Sequence, residues 1–167
     1  MQQAHTLKQF KHKVVQSLWH ECDALYARDP KGYIALQDSY QLNINLLLLA
    51  QWLDNLCIDH QYLNLNSVIW SELNNKVQAH DQDTLIPFRQ HRRASKKTLS
   101  SGDYQHMLKK ELQLERQTQQ FILTLLEHIL FQSQNIDALL SHSIESNLDN
   151  YLSVFKLHRR DCPVLNR

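Results

Sequence analysis

Leu42-Asn43-Ile44-Asn45-Leu46-Leu47-Leu48-Leu49-Ala50-Gln51-Trp52-Leu53 is the stretch that decides the fold. Four consecutive leucines at 46–49 leave a helix no face to turn toward water, and such a helix is buried on more than one side. Asn43 stands where the first turn needs a cap, since its side-chain oxygen can accept an orphan backbone N–H. The sequence therefore predicts a helix over about 43–58 at the centre of a bundle. Asn43, Asn45 and Gln51 interrupt the stretch, which is also too short to cross a bilayer.

The neighbouring segments carry the same helical period. Leu7, Phe10, Val14, Leu18, Cys22 and Leu25 recur at three- and four-residue steps and predict a helix over about 6–27. Asp29-Pro30-Lys31-Gly32 reads as a breaker before a short helix over about 33–40. An Asn66 or Ser67 cap opens a helix through Ile69, Trp70, Leu73 and Val77, ending near residue 79. Asp83 is expected to cap a helix over about 84–99, with Pro87 in its first turn, where a missing N–H costs little. The turn Ser100-Ser101-Gly102-Asp103 leads into the longest helix, about 104–132, so that 84–132 forms a long helix hairpin. Asn135 is expected to cap a last helix bearing Ile136, Leu139, Leu140, Ile144, Leu148, Leu152 and Phe155. No strand is expected. The reading is all-α: one bundle of six or seven helices over 1–160, then a flexible tail over 161–167.

Composition agrees. Hydrophobic residues make up 43% of the 167, enough for a core, and only 2 Gly and 3 Pro are present. An α/β nucleotide-binding fold needs glycines at its βα turns, and a β-sandwich needs frequent turn residues; neither supply exists. Cys22, Cys57 and Cys162 are odd in number and widely spaced, which suits a reducing compartment better than a disulfide framework. No apolar signal-peptide core follows the first residues. A cytoplasmic setting without membrane contact is expected. The net charge of +1 conceals segregation: residues 14–88 carry three bases and nine acids, while 89–116 carry eight bases and three acids. Such asymmetry marks either a binding face or two halves that attract one another.

Several motifs also carry a resemblance. Leu36-Gln37-Asp38, the 42–48 stretch, Trp52-Leu53, Trp70, Ile86-Pro87-Phe88-Arg89-Gln90-His91-Arg92-Arg93 and Lys110-Glu111-Leu112-Gln113-Leu114-Glu115-Arg116 follow one another as in a family of short uncharacterised proteobacterial proteins. The chain resembles that family over most of 19–120. Tyr40-Gln41 stands where many members carry a Gly before the Asn-rich helix start. The resemblance implies a bacterial, cytoplasmic, helical protein carrying a domain of unknown function, and it implies no activity.

Two clusters are candidate sites. Arg89, Arg92, Arg93, Lys96 and Lys97 would neutralise phosphates on RNA or DNA. Antiparallel pairing of the hairpin, however, sets Arg89 near Leu112, between Glu111 and Glu115. Arg89 and Arg93 are then expected to form an interhelical ion-pair ladder with Glu115 and Glu111, leaving Lys96, Lys97, Lys109 and Lys110 near the hairpin tip. Gln37, Asp38, Asn43 and Asn45 form the second cluster, either a structural network or a small-ligand pocket. Asn45 needs hydrogen-bond partners in a buried helix, and Gln37 or Asp38 is expected to supply them.

No catalytic, cofactor-binding or metal residue is singled out. Glu111 and Glu115 lack the Glu-x-x-His partners of a di-metal bundle. Cys57-Ile58-Asp59-His60 and the 158–162 segment are isolated half-motifs for zinc, and Cys22 belongs to an apolar stripe as an inert thiol. Three functions are carried forward. The first is a non-enzymatic interaction or adaptor protein, with an unknown protein partner or a homodimer, through the last helix and the C-terminal half of the 104–132 helix. The second is an RNA- or ribosome-associated factor using the basic hairpin tip. The third is a small-ligand-binding protein or enzyme at Gln37, Asp38 and Asn45.

Overall fold

The computed structural model describes residues 1–132 and 139–166. The chain is predominantly α-helical, as expected. Among the described residues its helices include α1 Gln2–Arg28, α2 Pro30–Tyr40, α3 Ile44–Asn55, α4 Ser67–Asp83, α5 Leu85–Ser95, α6 Ser101–Gln132 and α7 Asn147–Val154. Leu46, Leu47, Leu48 and Leu49 are each at most 3% exposed, so α3 is the buried centre the leucine run predicts. It packs against α1, α2 and α7. At roughly 1.5–3 kcal/mol per fully buried leucine, these four side chains alone anchor the helix inside.

Strands are the first correction. Cys57–Ile58 (β1), Gln61–Leu63 (β2) and Leu140–Ser141 (β3) form a small antiparallel sheet in the order β1-β2-β3. Cys57 lies opposite Tyr62, and Leu63 opposite Leu140. The central helix therefore stops at Asn55, and its expected last residues extend into a hairpin. The hairpin turns on Asp59 and His60, both at positive φ (52° and 60°). Two-residue hairpin turns require this geometry and usually signal it with Asn-Gly. Here tertiary bonds hold it instead: Thr6 donates to the Asp59 carboxylate at 2.9 Å, and the His142 ring bonds to the His60 carbonyl at 3.0 Å.

The expected last helix is also corrected. Asn135 and Ile136 lie outside the described residues; Leu139 is helical, but Leu140 is in β3, Ile144 is half-exposed in a loop, and helix starts again at Asn147. Three devices fix that restart. Ser146 caps α7 by accepting from the Asp149 amide at 3.1 Å. Asp54, at the end of α3, accepts from the Asn147 and Leu148 amides at 2.6 and 3.0 Å. Asn147, fully buried, accepts from the Leu65 amide at 2.8 Å and donates to the Leu63 carbonyl at 2.9 Å.

Smaller boundaries move for local reasons. Asp29-Pro30-Lys31-Gly32 ends α1 at Arg28, as expected, but also starts α2 three residues early, with Asp29 as N-cap accepting from the Gly32 amide at 3.0 Å and Pro30 in the first turn. α4 continues through Asp83, so Asp83 is not a cap; Thr84 sits between α4 and α5 and donates to the His80 carbonyl at 3.0 Å. The C-terminal segment, expected to be a flexible tail, instead forms 3-10 turns at Arg159–Asp161 and Pro163–Asn166. Cys162 and Leu165 are buried there. Gly32 permits this packing, because a Cβ on it would lie 2.6 Å from a Val164 methyl group.

Candidate functional site

The two candidate clusters, read separately in the sequence, line one cleft. It has a volume of about 870 Å³ and is walled by α1, the end of α2, the start of α3, α4, α5 and α6. Gln37, Asp38, Asn43 and Asn45 face it from α2 and α3, Arg89, Arg92 and Arg93 from α5, and Glu111 and Glu115 from α6. Lys96 and Lys97 do not line it; they are exposed just beyond α5.

The ion-pair ladder exists, with one arginine exchanged. Arg89 donates through Nε to Glu111 at 3.0 Å and through Nη2 to Glu115 at 3.1 Å. Arg92, not Arg93, is the second member: it bonds to both carboxylate oxygens of Glu111 and donates to the Tyr104 hydroxyl at 3.1 Å. Arg93 points across the cleft to Asp38 at 3.7 Å, both side chains being more than half exposed. On a helix, residues 92 and 93 lie on opposite sides of the line through 89. The register places α6 on the 92 side and α2 on the 93 side, which spacing alone does not reveal.

The number of arginine partners separates the two glutamates. Glu111 is only 7% exposed. Desolvation pushes its carboxyl up, but the guanidinium groups of Arg92 and Arg89 prevail and hold it below the usual carboxylate range. Glu115 has its strongest contact with Arg89 alone. Burial pushes it above the usual range, and the neighbouring Glu111 charge adds to that.

Asn45 finds its partner on α6: Gln119 donates to its side-chain oxygen at 3.2 Å, so neither Gln37 nor Asp38 fills the expected role. Gln119 in turn accepts from Arg116 at 2.8 Å, and Arg116 forks onto Asp23 of α1 at 3.0 and 3.3 Å. Asn43 caps α3, accepting from the Leu46 amide at 3.2 Å, while its amide group donates to Asp81 at 3.1 Å. Asp81, 4% exposed at the cleft floor, also accepts from Thr118 at 2.5 Å. Behind it Tyr151 of α7 accepts from the Asn43 backbone amide at 3.0 Å, and burial pushes its phenol well above the ordinary tyrosine range.

Asp81, Thr118 and Gln119 were missed in the sequence, although two of them left a signal. Asp81 extends the apolar stripe Trp70, Leu73 and Val77 by one more helical step, and Thr118 stands on the stripe that continues to Ile122 and Leu126. A polar residue on an inward stripe needs an internal partner. Placing the end of α4 near residue 79 hid the first of them.

The apolar surface expected on the last helix and the C-terminal half of α6 is turned inward at Ile122, Leu126, Leu148 and Leu152. Among the described residues the exposed large apolar side chains are spread over several elements, such as Val15 on α1, Ile34 and Tyr40 on α2, Val68 on α4 and Leu112 on α6. No helix among those residues is long and apolar enough to cross a membrane.

Residues 17–122 match the model of a family described as a protein of unknown function, DUF2390. That span contains every residue lining the cleft, from Asp23 to Gln119. No curated protein and no solved structure matches the chain.

Proposed function

The chain belongs to the DUF2390 family, which assigns it no activity, and from that premise we propose that it is a binding protein for a small polar ligand held in the cleft. One observation carries this reading: polar side chains from six helices, remote in sequence, converge on an open cleft of about 870 Å³. Small-molecule sites are concavities of roughly 300–1,000 Å³ with a few convergent polar groups. The Asn45–Gln119–Arg116–Asp23 chain pre-orients its polar groups, so binding costs little side-chain ordering. The Glu111 carboxylate is occupied by two arginines, which favours recognition over chemistry. A cytoplasmic setting accords with three free cysteines.

The test is a screen of small-metabolite mixtures against isotope-labelled protein, read from the side-chain amide signals of Asn45 and Gln119. At least one compound is expected to shift both signals in the wild type and to lose affinity for Asn45→Ala. A screen in which nothing perturbs the cleft signals would overturn the reading.

A second reading rests on a separate surface. Lys96, Lys97, Lys109 and Lys110 are exposed and form no ion pair among the described residues, while Arg89 and Arg92 are committed to Glu111. Phosphate contact by this tip would show as RNA retention that falls steeply with salt; retention unchanged by a Lys96→Gln, Lys97→Gln double variant would remove it.

A further inference from the structure

We propose that the cleft selects an uncharged, hydroxyl-rich ligand, of the sugar or polyol class, over either anions or amines. This rests on the cleft being a ligand site and adds the chemistry of what it takes.

Charge pairing within the walls carries the inference. Four guanidinium groups and five carboxylates line the cleft, and no lysine does. Every guanidinium already faces a carboxylate. Arg89 bridges Glu111 and Glu115, Arg92 grips Glu111, Arg116 forks onto Asp23, and Arg93 stands 3.7 Å from Asp38. An incoming phosphate or carboxylate must displace one of these partners and leave it unpaired in a partly dry site, which is strongly unfavourable. An amine faces the mirror problem, since Asp23, Asp38, Glu111 and Glu115 already hold cations. Asp81 lacks an arginine, but it is 4% exposed at the floor and already bonds to Asn43, Thr118 and the His80 ring. A charged ligand therefore gains only by exchange.

What remains is neutral hydrogen-bonding capacity beside apolar wall from side chains such as Ile34, Ile44 and Leu112. Gln37, Gln78 and Gln90 line the cleft with no side-chain hydrogen bond among the described residues. Asn45 offers its NH₂ group, because Gln119 occupies only its oxygen. Each primary amide presents donors beside an acceptor, and a hydroxyl is likewise both. Carboxylates already paired to arginine keep lone pairs that accept further O–H donors. Tyr26 adds an aromatic side chain to the same wall, of the kind that packs on the apolar side of a sugar ring. A ligand of hydroxyls satisfies this surface without breaking an ion pair.

The experiment uses the full chain and a matched panel: neutral monosaccharides, disaccharides and polyols, each beside its phosphate ester and its amino analogue. Binding is followed by amide chemical shifts, which place the ligand on the wild-type protein without relying on a variant that must fold. The expected result is a neutral member that shifts the cleft signals, with its phosphate and amino partners at least about tenfold weaker. Its affinity should change by less than about twofold between 50 and 500 mM NaCl, since no net charge is screened. A charged partner that binds in the cleft more tightly than its neutral parent would overturn the inference while leaving the cleft as a ligand site. No binding by any neutral member would also overturn it, and the wider metabolite screen then decides separately whether the cleft binds anything.

Discussion

Replacing Glu111 with Gln tests the central interlock, because two arginines depend on one carboxylate. Arg89 and Arg92 have side chains 17% and 15% exposed, and the Glu111 side chain is 9% exposed. Glutamine preserves the shape and one acceptor but removes the charge that neutralises both guanidinium groups. Removing one partner of a fully buried pair costs roughly 3–5 kcal/mol. Here Arg89 keeps Glu115 and Arg92 keeps Tyr104, so the expected loss is about 2–3 kcal/mol, near the value of one or two charged hydrogen bonds. With a urea m-value of about 2 kcal/mol/M, the unfolding midpoint should fall by about 1–1.5 M with m unchanged. Glu115→Gln is the control: that side chain is 38% exposed and gives up a single bond to Arg89, but it also removes a charge that burial disfavours, so its stability should change by less than about 1 kcal/mol in either direction. Equal midpoints for the two variants, or a Glu111→Gln midpoint within about 0.3 M of wild type, would refute the assignment of Glu111 as the keystone.

The same pair has a pH signature of opposite signs. Glu111 is held below its ordinary value, so its contribution is present above the unfolded carboxylate pKa and is lost as pH falls through the lower folded value. Glu115 is raised, so its contribution is full below the unfolded pKa and fades as pH rises through the higher folded value. Stability lost on acidification should therefore shrink in Glu111→Gln, and the decline on the neutral side of the carboxylate range should shrink in Glu115→Gln. Denaturant midpoints measured across that range check both signs.

Further expectations follow from single contacts. Asp54→Ala removes the acceptor of two α7 amides and the Ser146 hydroxyl; a loss of about 2–3 kcal/mol is expected in urea unfolding, and a loss under about 0.5 kcal/mol would show that α7 starts without it. Gln41 ends α2 at φ 61°, in a conformation that costs a non-glycine residue about 1–2 kcal/mol. Gln41→Gly should therefore stabilise the fold by up to about 1 kcal/mol in urea unfolding, and a destabilised variant would contradict the strain assignment. Gly32→Ala places a Cβ against Val164, so residues after 158 should become sensitive to limited proteolysis while α3 stays protected; unchanged cleavage would show that the C-terminal turns do not rest on α2. Native protein should react quickly with a thiol reagent only at exposed Cys57, because Cys22 is buried and its thiol is pushed far up by burial; two or more fast thiols would contradict the packing of Cys22 and Cys162.

The sequence by itself determined the elements whose signal is local and dense. Four adjacent leucines can only be buried together, Asn43 and Asn66 cap because their side chains reach amides three residues on, and the 84–132 hairpin follows from a short turn between two helical periods. It also placed Arg89, Glu111 and Glu115 in one group, since antiparallel pairing about a known turn fixes which residues face each other. Tertiary structure alone decided the rest. The choice of Arg92 over Arg93 depends on which side of α5 the other helices occupy, and a rotation of a few tens of degrees about a helix axis is invisible to spacing. The sheet of two- and three-residue strands exists because Thr6, His142 and Asn147 hold it from far along the chain, leaving no period to read. The cleft is the clearest case. Residues 37–45 and 89–119 each looked like a self-contained polar patch, and only the packing of α2, α3, α5 and α6 sets them across a common space, where Arg93 meets Asp38 and Gln119 meets Asn45.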